Sequence, residues 1–402
     1  MRPSNTAIVV GAGIGGLTAA QALRRTGWRV TVYEQAHTIA PVGAGVGIAP
    51  NAVKALDHLG LGSALRDRGR RQEAMEIRLR NGRQVARVCA SDIERRYGAP
   101  FYALHRAELH RLLLTGLDAA TLRTGHRAER IVSEPWSATV VFRTADGTVS
   151  ETADLVVAAD GVGSALRTTL LPRYPGPAYA GYTVWRGIVP ADRAAALRVP
   201  PVLAESWGRG ARFGIAAIND GQVYWFACES VPEHTVPTHD LGLLATRFKR
   251  WHDPIPALLR ATPEETLLRH DVYYLRARLP GFTHGRVVLL GDAAHAVTPD
   301  IGQGACLAIE DAVTLATGIE NSGIDAGLRI YDALRRPRTE RMARTSGRLG
   351  RIMQTANPVA ALLRDNLAAA VPASLLIRGI GAAFAWQPPM PFTDHPPITT
   401  RE

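Results

Sequence analysis

Three short stretches join small or acidic residues to the ends of apolar runs, at spacings that suit phosphates and sugars. The first is Gly11-Ala12-Gly13-Ile14-Gly15-Gly16, directly after the apolar run Ala7 to Val10. Glycines at that spacing, between a strand and a helix, permit a tight turn. They also let backbone N–H groups approach a pyrophosphate at the helix N-terminus. Glu34 closes the next strand, 18 residues past Gly16, where an acid bonds a ribose hydroxyl and disfavours a 2′-phosphate. The second stretch, LVVAADGVGSALR (155 to 167), ends a strand in Asp160-Gly161 and carries Ser164 and Arg167 beyond it. The third, GDAAHAVTPDIGQGACLAIEDA (291 to 312), follows the apolar run VVLL. An aspartate that ends a buried strand costs stability unless something polar meets it. The Pro299-Asp300-Ile301-Gly302-Gln303-Gly304 stretch cannot pack a core of its own, so this segment reads as a ligand cradle.

The elements that position these turns are legible from hydrophobic period. Ala7 to Val10, a helix from about Gly15 to Thr26 and a strand Val30 to Tyr33 make a β-α-β unit. MEIRLRNGRQVARV (75 to 88) alternates around an Asn-Gly turn and reads as a hairpin. HRAELHRLLLTGL (105 to 117) has leucines at helical spacing. From about Gly181 to Arg278 the texture changes to alternating strands, TVWRGIV, RFGIAAI, QVYWFAC and DVYYLRARL, with two short helices near 241 to 251 and 255 to 261. Strand Arg286 to Leu290 then returns the chain to its first domain, and helices follow to the C-terminus.

Composition narrows the class. The 402 residues are 46% hydrophobic and 21% charged, as in ordinary globular proteins. A formal charge of +11 raises the question of nucleic acid, but only Lys54 and Lys249 are lysines. The arginines are scattered singly and in pairs, which reads as a solvated surface that attracts anionic ligands and not as a nucleic-acid footprint. Three dispersed cysteines match no metal spacing and suggest a reducing, cytoplasmic setting. No H-x-x-x-H pair points to a metal. LAAAVPASLLIRGIGAAFAW (367 to 386) is broken by Pro372, Arg378, Gly379 and Gly381, so a C-terminal packing helix is expected there and no stable membrane insertion.

The three motifs, in this order and spacing, together with GAGVGIAPNAVKALDHLGLG (43 to 62) and Arg106, resemble those of the flavoprotein aromatic hydroxylases, the single-component FAD monooxygenases of the para-hydroxybenzoate hydroxylase type. The resemblance covers nearly the whole chain. It implies an α/β fold: a FAD-binding Rossmann-like domain of the glutathione-reductase type, an inserted antiparallel-sheet substrate domain and C-terminal helices. The expected boundaries give 1–74, 101–178 and 281–330 to the FAD-binding domain, 75–100 and 179–280 to the substrate domain, and 331–402 to C-terminal helices and tail.

The resemblance further implies that Gly11, Gly13, Ile14, Gly15, Gly16, Glu34 and Gln35 hold the ADP half of FAD. Gly45, Val46 and Arg106 would lie along the flavin side, and Asp292 would be a buried acid satisfied by the ribityl chain. Gly302, Gly304 and Ala305 would present N–H groups to the ring edge. Asp160 is associated in such enzymes with both FAD and NAD(P)H. Many relatives read GQGxN where this chain has Cys306, which removes one amide contact. NADH or NADPH would reduce the flavin and O₂ would form a C4a-hydroperoxide that hydroxylates an aromatic or heteroaromatic small molecule. The protein itself is expected to be a monomer or homodimer. A same-fold epoxidase or oxidase acting on a larger natural product is the alternative, with a non-catalytic flavin-binding protein behind it. The WxWxIP pattern and placed lysine of flavin halogenases are missing.

The inserted sheet should wall the substrate, so its pocket residues alternate along each strand. Either Tyr182, Val184 and Arg186 face inward, or Thr183 and Trp185 do. Arg186, Arg212, Tyr224 and Pro299 are the candidate catalytic group. A two-residue loop at Asp220-Gly221 would place Arg212 and Tyr224 on opposite faces, and a three-residue loop would place them on one face. His295 reads as a packed histidine, and Glu310 and Asp311 as salt-bridge partners.

Overall fold

The computed structural model describes residues 5–39, 43–118, 120–235 and 240–389. Its first layer is a six-stranded sheet in the order Thr283–His284, Val287–Leu289, Leu155–Ala158, Thr6–Val10, Arg29–Tyr33, Leu122–Arg123. All pairings are parallel except that of Thr283–His284. The apolar runs explain this: Leu155 to Ala158 and Val287 to Leu289 are buried on both faces, as parallel strands covered by helices must be. Arg29–Tyr33 and Leu122–Arg123 lie on one side of Thr6–Val10, and Leu155–Ala158 and Val287–Leu289 on the other. The order therefore reverses between Thr6–Val10 and Leu155–Ala158, and a crevice opens at their carboxyl ends. Gly11, Asp160 and Asp292 follow the carboxyl ends of three adjacent strands, and Glu34 follows a fourth.

A second, seven-stranded sheet runs Leu268–Tyr274, Ala178–Val189, Val223–Glu229, Ala211–Ala217, Val202–Trp207, Ala74–Leu79, Gln84–Cys89. Every pairing is antiparallel except Val202–Trp207 against Ala74–Leu79. The Asn-Gly hairpin thus joins the sheet edge, and Val202–Trp207 is a strand that the alternation left unread. One face is closed by helices Leu241–Phe248 and Ile255–Ala261, whose Leu244, Phe248, Leu258 and Leu259 pack with Trp185, Phe213 and Trp225. The opposite face turns toward the first domain.

A helix from Gly304 to Met353 spans the molecule and is interrupted at Gly323, whose φ is 74°. Its first turns are buried against helix Ile14–Arg25 and the first sheet. Helices Pro358–Ala370 and Ala373–Phe384 end the described chain.

Candidate active site

The glycine turn is built by close approaches that exclude side chains. Gly11 has a φ of 102° and donates its N–H to Tyr33 O at 2.7 Å. A Cβ on Gly16 would overlap Gly11 O, and one on Gly15 would press on Leu290 and Ala308. At Gly13, by contrast, no heavy atom lies within 4 Å of a Cβ position. Helix Ile14–Arg25 begins there with no side-chain cap, so its first N–H groups face open space. Ile14 is buried in the core beneath the turn. Both oxygens of Glu34 accept backbone N–H groups, from Ala12 and from Ala36 at 2.8 Å each. Each retains lone-pair capacity for a further donor. Gln35 follows, exposed.

Asp160 caps its own turn, accepting Ser164 Oγ at 2.6 Å and Leu166 N at 3.1 Å. Burial raises its carboxyl pKa, and those bonds oppose the rise. The buried Arg167 donates to Ala293 O at 3.0 Å and Val162 O at 2.6 Å, locking the second motif to the third.

Asp292 departs from expectation: it is not buried but exposed in a cleft. Protein nevertheless crowds it, and that crowding raises its pKa, while His295 and Arg106 pull it down. Arg106, also exposed, is shifted down by its crowded setting, with Asp292 opposing and Arg186 adding to the shift. Gly43 allows this placement, since a Cβ there would touch the Arg106 side chain. Past Asp292, Gly302 has a φ of 64° and an open Cβ position, and the nearest atom to a Cβ on Gly304 is Asp292 Oδ1 at 4.0 Å. Gly302, Gly304 and the half-buried Ala305 thus form a second cradle, at the uncapped start of the long helix. Two open glycine cradles, joined by a cation and an acid along one crevice, fit an elongated dinucleotide such as FAD.

A buried charge network holds this second cradle. Asp311 accepts His295 Nε2 at 2.5 Å, Gly291 N at 3.1 Å and Arg335 Nε at 2.6 Å. Burial works against the Asp311 carboxylate, but His295 and Arg335 outweigh it and hold its pKa at about 2. Glu310 takes Arg335 Nη1 and Arg338 Nε, each at 2.6 Å, and Asn51 Nδ2 at 2.5 Å; Asn51 also reaches Gln303 Oε1 at 2.9 Å. Cys306 does not replace an amide contact at the cleft. It is wholly buried, its sulfur accepts Ala49 N at 3.5 Å, and burial pushes the thiol up to about 12.

Opposite the cradles stands the seven-stranded sheet. Residues Asn219 to Gly221 form the loop, with Asp220 at φ 57° and Ile218 N bonded to Gln222 O at 2.9 Å. This three-residue loop pairs Ala216 with Tyr224 and Arg212 with Cys228, so Arg212 and Tyr224 share one face. Tyr182, Val184 and Arg186 lie on it too, because Arg186 pairs with Phe226. Thr183 and Trp185 face the other way.

Arg186 lies near enough to Tyr224 to stabilise its phenolate, and Arg186 Nη1 lies 3.4 Å from His270 Nδ1. Burial raises the Tyr224 phenol and Arg186 opposes that rise. Burial first, then Arg186, Arg106 and Arg269, lower the His270 pKa. A neutral ring with a free Nδ1 is what can accept from Arg186. Gly45 has no Cβ because Tyr224's ring fills that space, and Val46 follows half-buried on the same strand. His270 and Phe226 were missed in the sequence, although strand parity with Val184 and Arg186 marks both.

Arg212 is a correction. It faces the cleft side but its side chain is only 2% exposed and every nitrogen is engaged. Nη2 meets Asp300 at 2.6 Å, Nη1 meets Glu205 at 3.1 Å, and Nε meets Gln354 at 2.9 Å. Tyr182 Oη adds a bond to Asp300 at 2.9 Å. Arg212 therefore joins the sheet to the turn Pro299–Ile301. Pro299 is exposed and opens this turn. Two cavities, of about 290 and 700 Å³ around Arg70 and Asn219, share no lining residue with the cleft.

The family model described as FAD binding domain matches residues 4–346. The chain is 38% identical to aurachin C monooxygenase/isomerase of Stigmatella aurantiaca, over 91% of this chain and 94% of that protein. It is 40% identical to 3-amino-4-hydroxybenzoate 2-monooxygenase PtnB3 of Streptomyces platensis, over 89% and 91%. The crystal structure of Klebsiella pneumoniae HpxO complexed with FAD and uric acid is similar at TM-score 0.87 and 31% identity, over 96% of this chain and 97% of that chain.

Proposed function

The chain belongs to the FAD binding domain family as an FAD-dependent monooxygenase, and from that premise we propose that it hydroxylates a small planar aromatic or heteroaromatic compound bearing an anionic oxygen. The observation that carries this is the pairing of Arg186 and Tyr224, beside His270, on the sheet face that looks toward Arg106 and Asp292. A guanidinium and a phenol side by side bind a carboxylate, phenolate or enolate oxygen through charge-assisted bonds. Phe226 and Val184 on the same face supply apolar contact to a flat ring. The substrates named for similar proteins, 3-amino-4-hydroxybenzoate and uric acid, have this chemistry.

Gly11, Gly13, Ile14, Gly15 and Gly16 would receive the pyrophosphate of FAD, with Glu34 and Gln35 toward its ribose. Asp160 would border it. Arg106 and Asp292 would hold the ribityl chain, with Gly45 and Val46 beside the ring and Gly302, Gly304 and Ala305 at its edge. When bound, FAD supplies hydride acceptance from NADH or NADPH and the activation of O₂. The protein's part is to orient the ring, keep water out and stabilise charge on the substrate oxygen through Arg186.

The test is NADH and NADPH oxidation with O₂ across phenolic and heteroaromatic acids and their neutral analogues, with H₂O₂ quantified. An anionic ring compound consumed with little peroxide is the expected result. Arg186→Gln should raise KM for that compound by about ten- to a hundredfold, as a lost charge-assisted bond is worth roughly 1.5–3 kcal/mol. Equal turnover of neutral analogues, or an unchanged KM in the variant, would remove the anionic-substrate reading.

A further inference from the structure

Helix Pro358–Ala370 turns an uncovered apolar face to solvent. Its inner side is anchored by Ala361 and by Arg364, which donates to Met353 O at 2.8 Å and Gly208 O at 3.1 Å. On its outer side Val359 is 65% exposed, Leu362 63%, Leu363 58% and Leu367 67%. That spacing places all four on one side of a helix. Ile352 just before the helix and Leu375 just after it are each more than half exposed. The only charges from 352 to 371 are Arg364 and Asp365, which pair with each other.

The turns leading into this face are cationic. Arg341, Arg344, Arg348 and Arg351 are exposed at spacings of three, seven and ten residues along the long helix, and Ile352 follows Arg348 by one turn. None of the four has an ion-pair partner among the described residues. Arg209 is exposed next to Gly210, whose N–H binds Thr355 O at 2.9 Å. An uncharged apolar stripe bordered by unpaired arginines is the arrangement of a helix that lies in a bilayer interface. Among the described residues no helix is long and apolar enough to cross a membrane.

We propose that this face docks the enzyme peripherally on an anionic lipid surface, with the leucines among the headgroups and the arginines on lipid phosphates. A second copy of the chain suits it less well. The six side chains, each about 60% exposed, offer roughly 200–400 Å², taking about 60–120 Å² per full side chain, whereas a stable interface needs about 800 Å² from each partner.

The experiment is flotation of the FAD-loaded full chain with vesicles of phosphatidylcholine alone and of phosphatidylcholine mixed with phosphatidylglycerol, at low and high salt. Binding to the anionic vesicles is expected, weaker by about tenfold or more on neutral ones and at high salt, since each surface arginine adds to attraction that salt screens. Leu363→Asp with Leu367→Asp should abolish flotation. Arg344→Glu with Arg348→Glu, lying on exposed helix, should abolish the anionic preference while retaining bound FAD. Wild-type protein that stays free of both vesicles overturns the proposal. So does a dimer, seen by light scattering, that the leucine variant converts to monomer, because the occupant is then a second copy.

Discussion

The two faces of the seven-stranded sheet are made by the same strands and obey different rules. On the helix-covered face, Phe213 and Trp225 stack with centroids 5.3 Å apart, Phe248 closes on Phe213 edge-on, and Trp225 Nε1 finds Thr262 Oγ1 at 2.8 Å. Gly187 leaves room for the Trp225 ring. Shape and apolar volume decide what fits there. On the cleft face Arg186, Arg212, Tyr182 and Tyr224 alternate with those same residues, and specific charge partners decide what fits. Within that face a further division holds. Arg212 is held at every nitrogen by Asp300, Glu205 and Gln354, whereas among the described residues Arg186 has a nearby phenol and a long contact to a neutral histidine. The ion-paired arginine builds the wall, and the other has donors left over.

The contrast breaks most sharply in the core. Trp225→Ala should cost about 3–5 kcal/mol of unfolding free energy, the range for removing a large aromatic from a packed interior. Denaturant unfolding reads this; a loss below about 1 kcal/mol would mean that the face can collapse around the gap. Next, Asp300→Ala should cost about 3 kcal/mol, because it leaves the Arg212 charge buried with less compensation. Replacing both Arg212 and Asp300 by leucine should recover part of that loss, and a double variant less stable than Asp300→Ala would contradict the wall role.

Tyr224→Phe tests the open half of the face. Stability and FAD content should hold, while substrate KM rises about three- to tenfold, as one hydrogen bond is worth roughly 1 kcal/mol. Unchanged KM and coupling would take Tyr224 out of the substrate site. The smallest effect concerns pH. His270 has its pKa depressed below 6.5 in the folded chain, so the folded state binds fewer protons than the unfolded one as pH falls through 6.5. Stability is therefore full above pH 6.5 and declines slightly toward the depressed pKa. His270→Asn should flatten that decline in thermal melts, and an identical slope in the variant would assign it elsewhere.

Much of the FAD side was readable because its demands are local. Gly11 and Gly302 need positive φ, Gly16 needs to meet backbone without a Cβ, and apolar runs of four or five residues mark the parallel strands. The same locality explains what misled: Gly291-Asp292 after VVLL reads as a buried acid, yet the strand ends one turn before the crevice and Asp292 stands in the open. Cys306, one residue past the cradle, turns inward to Ala49, and no spacing rule announces that direction. Gly45, expected along the flavin side, proved also to be the seat of a tyrosine 179 positions away.

By itself the sequence determined the order of three ligand turns, the β-α-β start, the alternating sheet and the helical end, since each rests on residue types acting over a few positions. Which face Arg212 and Tyr224 share, and what each does there, was decided only by tertiary structure. One residue in the Asn219–Gly221 loop sets the parity of the strands. Arg212's partners Asp300 and Gln354 then arrive from 88 and 142 positions away, on elements that only the packing of sheet against long helix brings into reach.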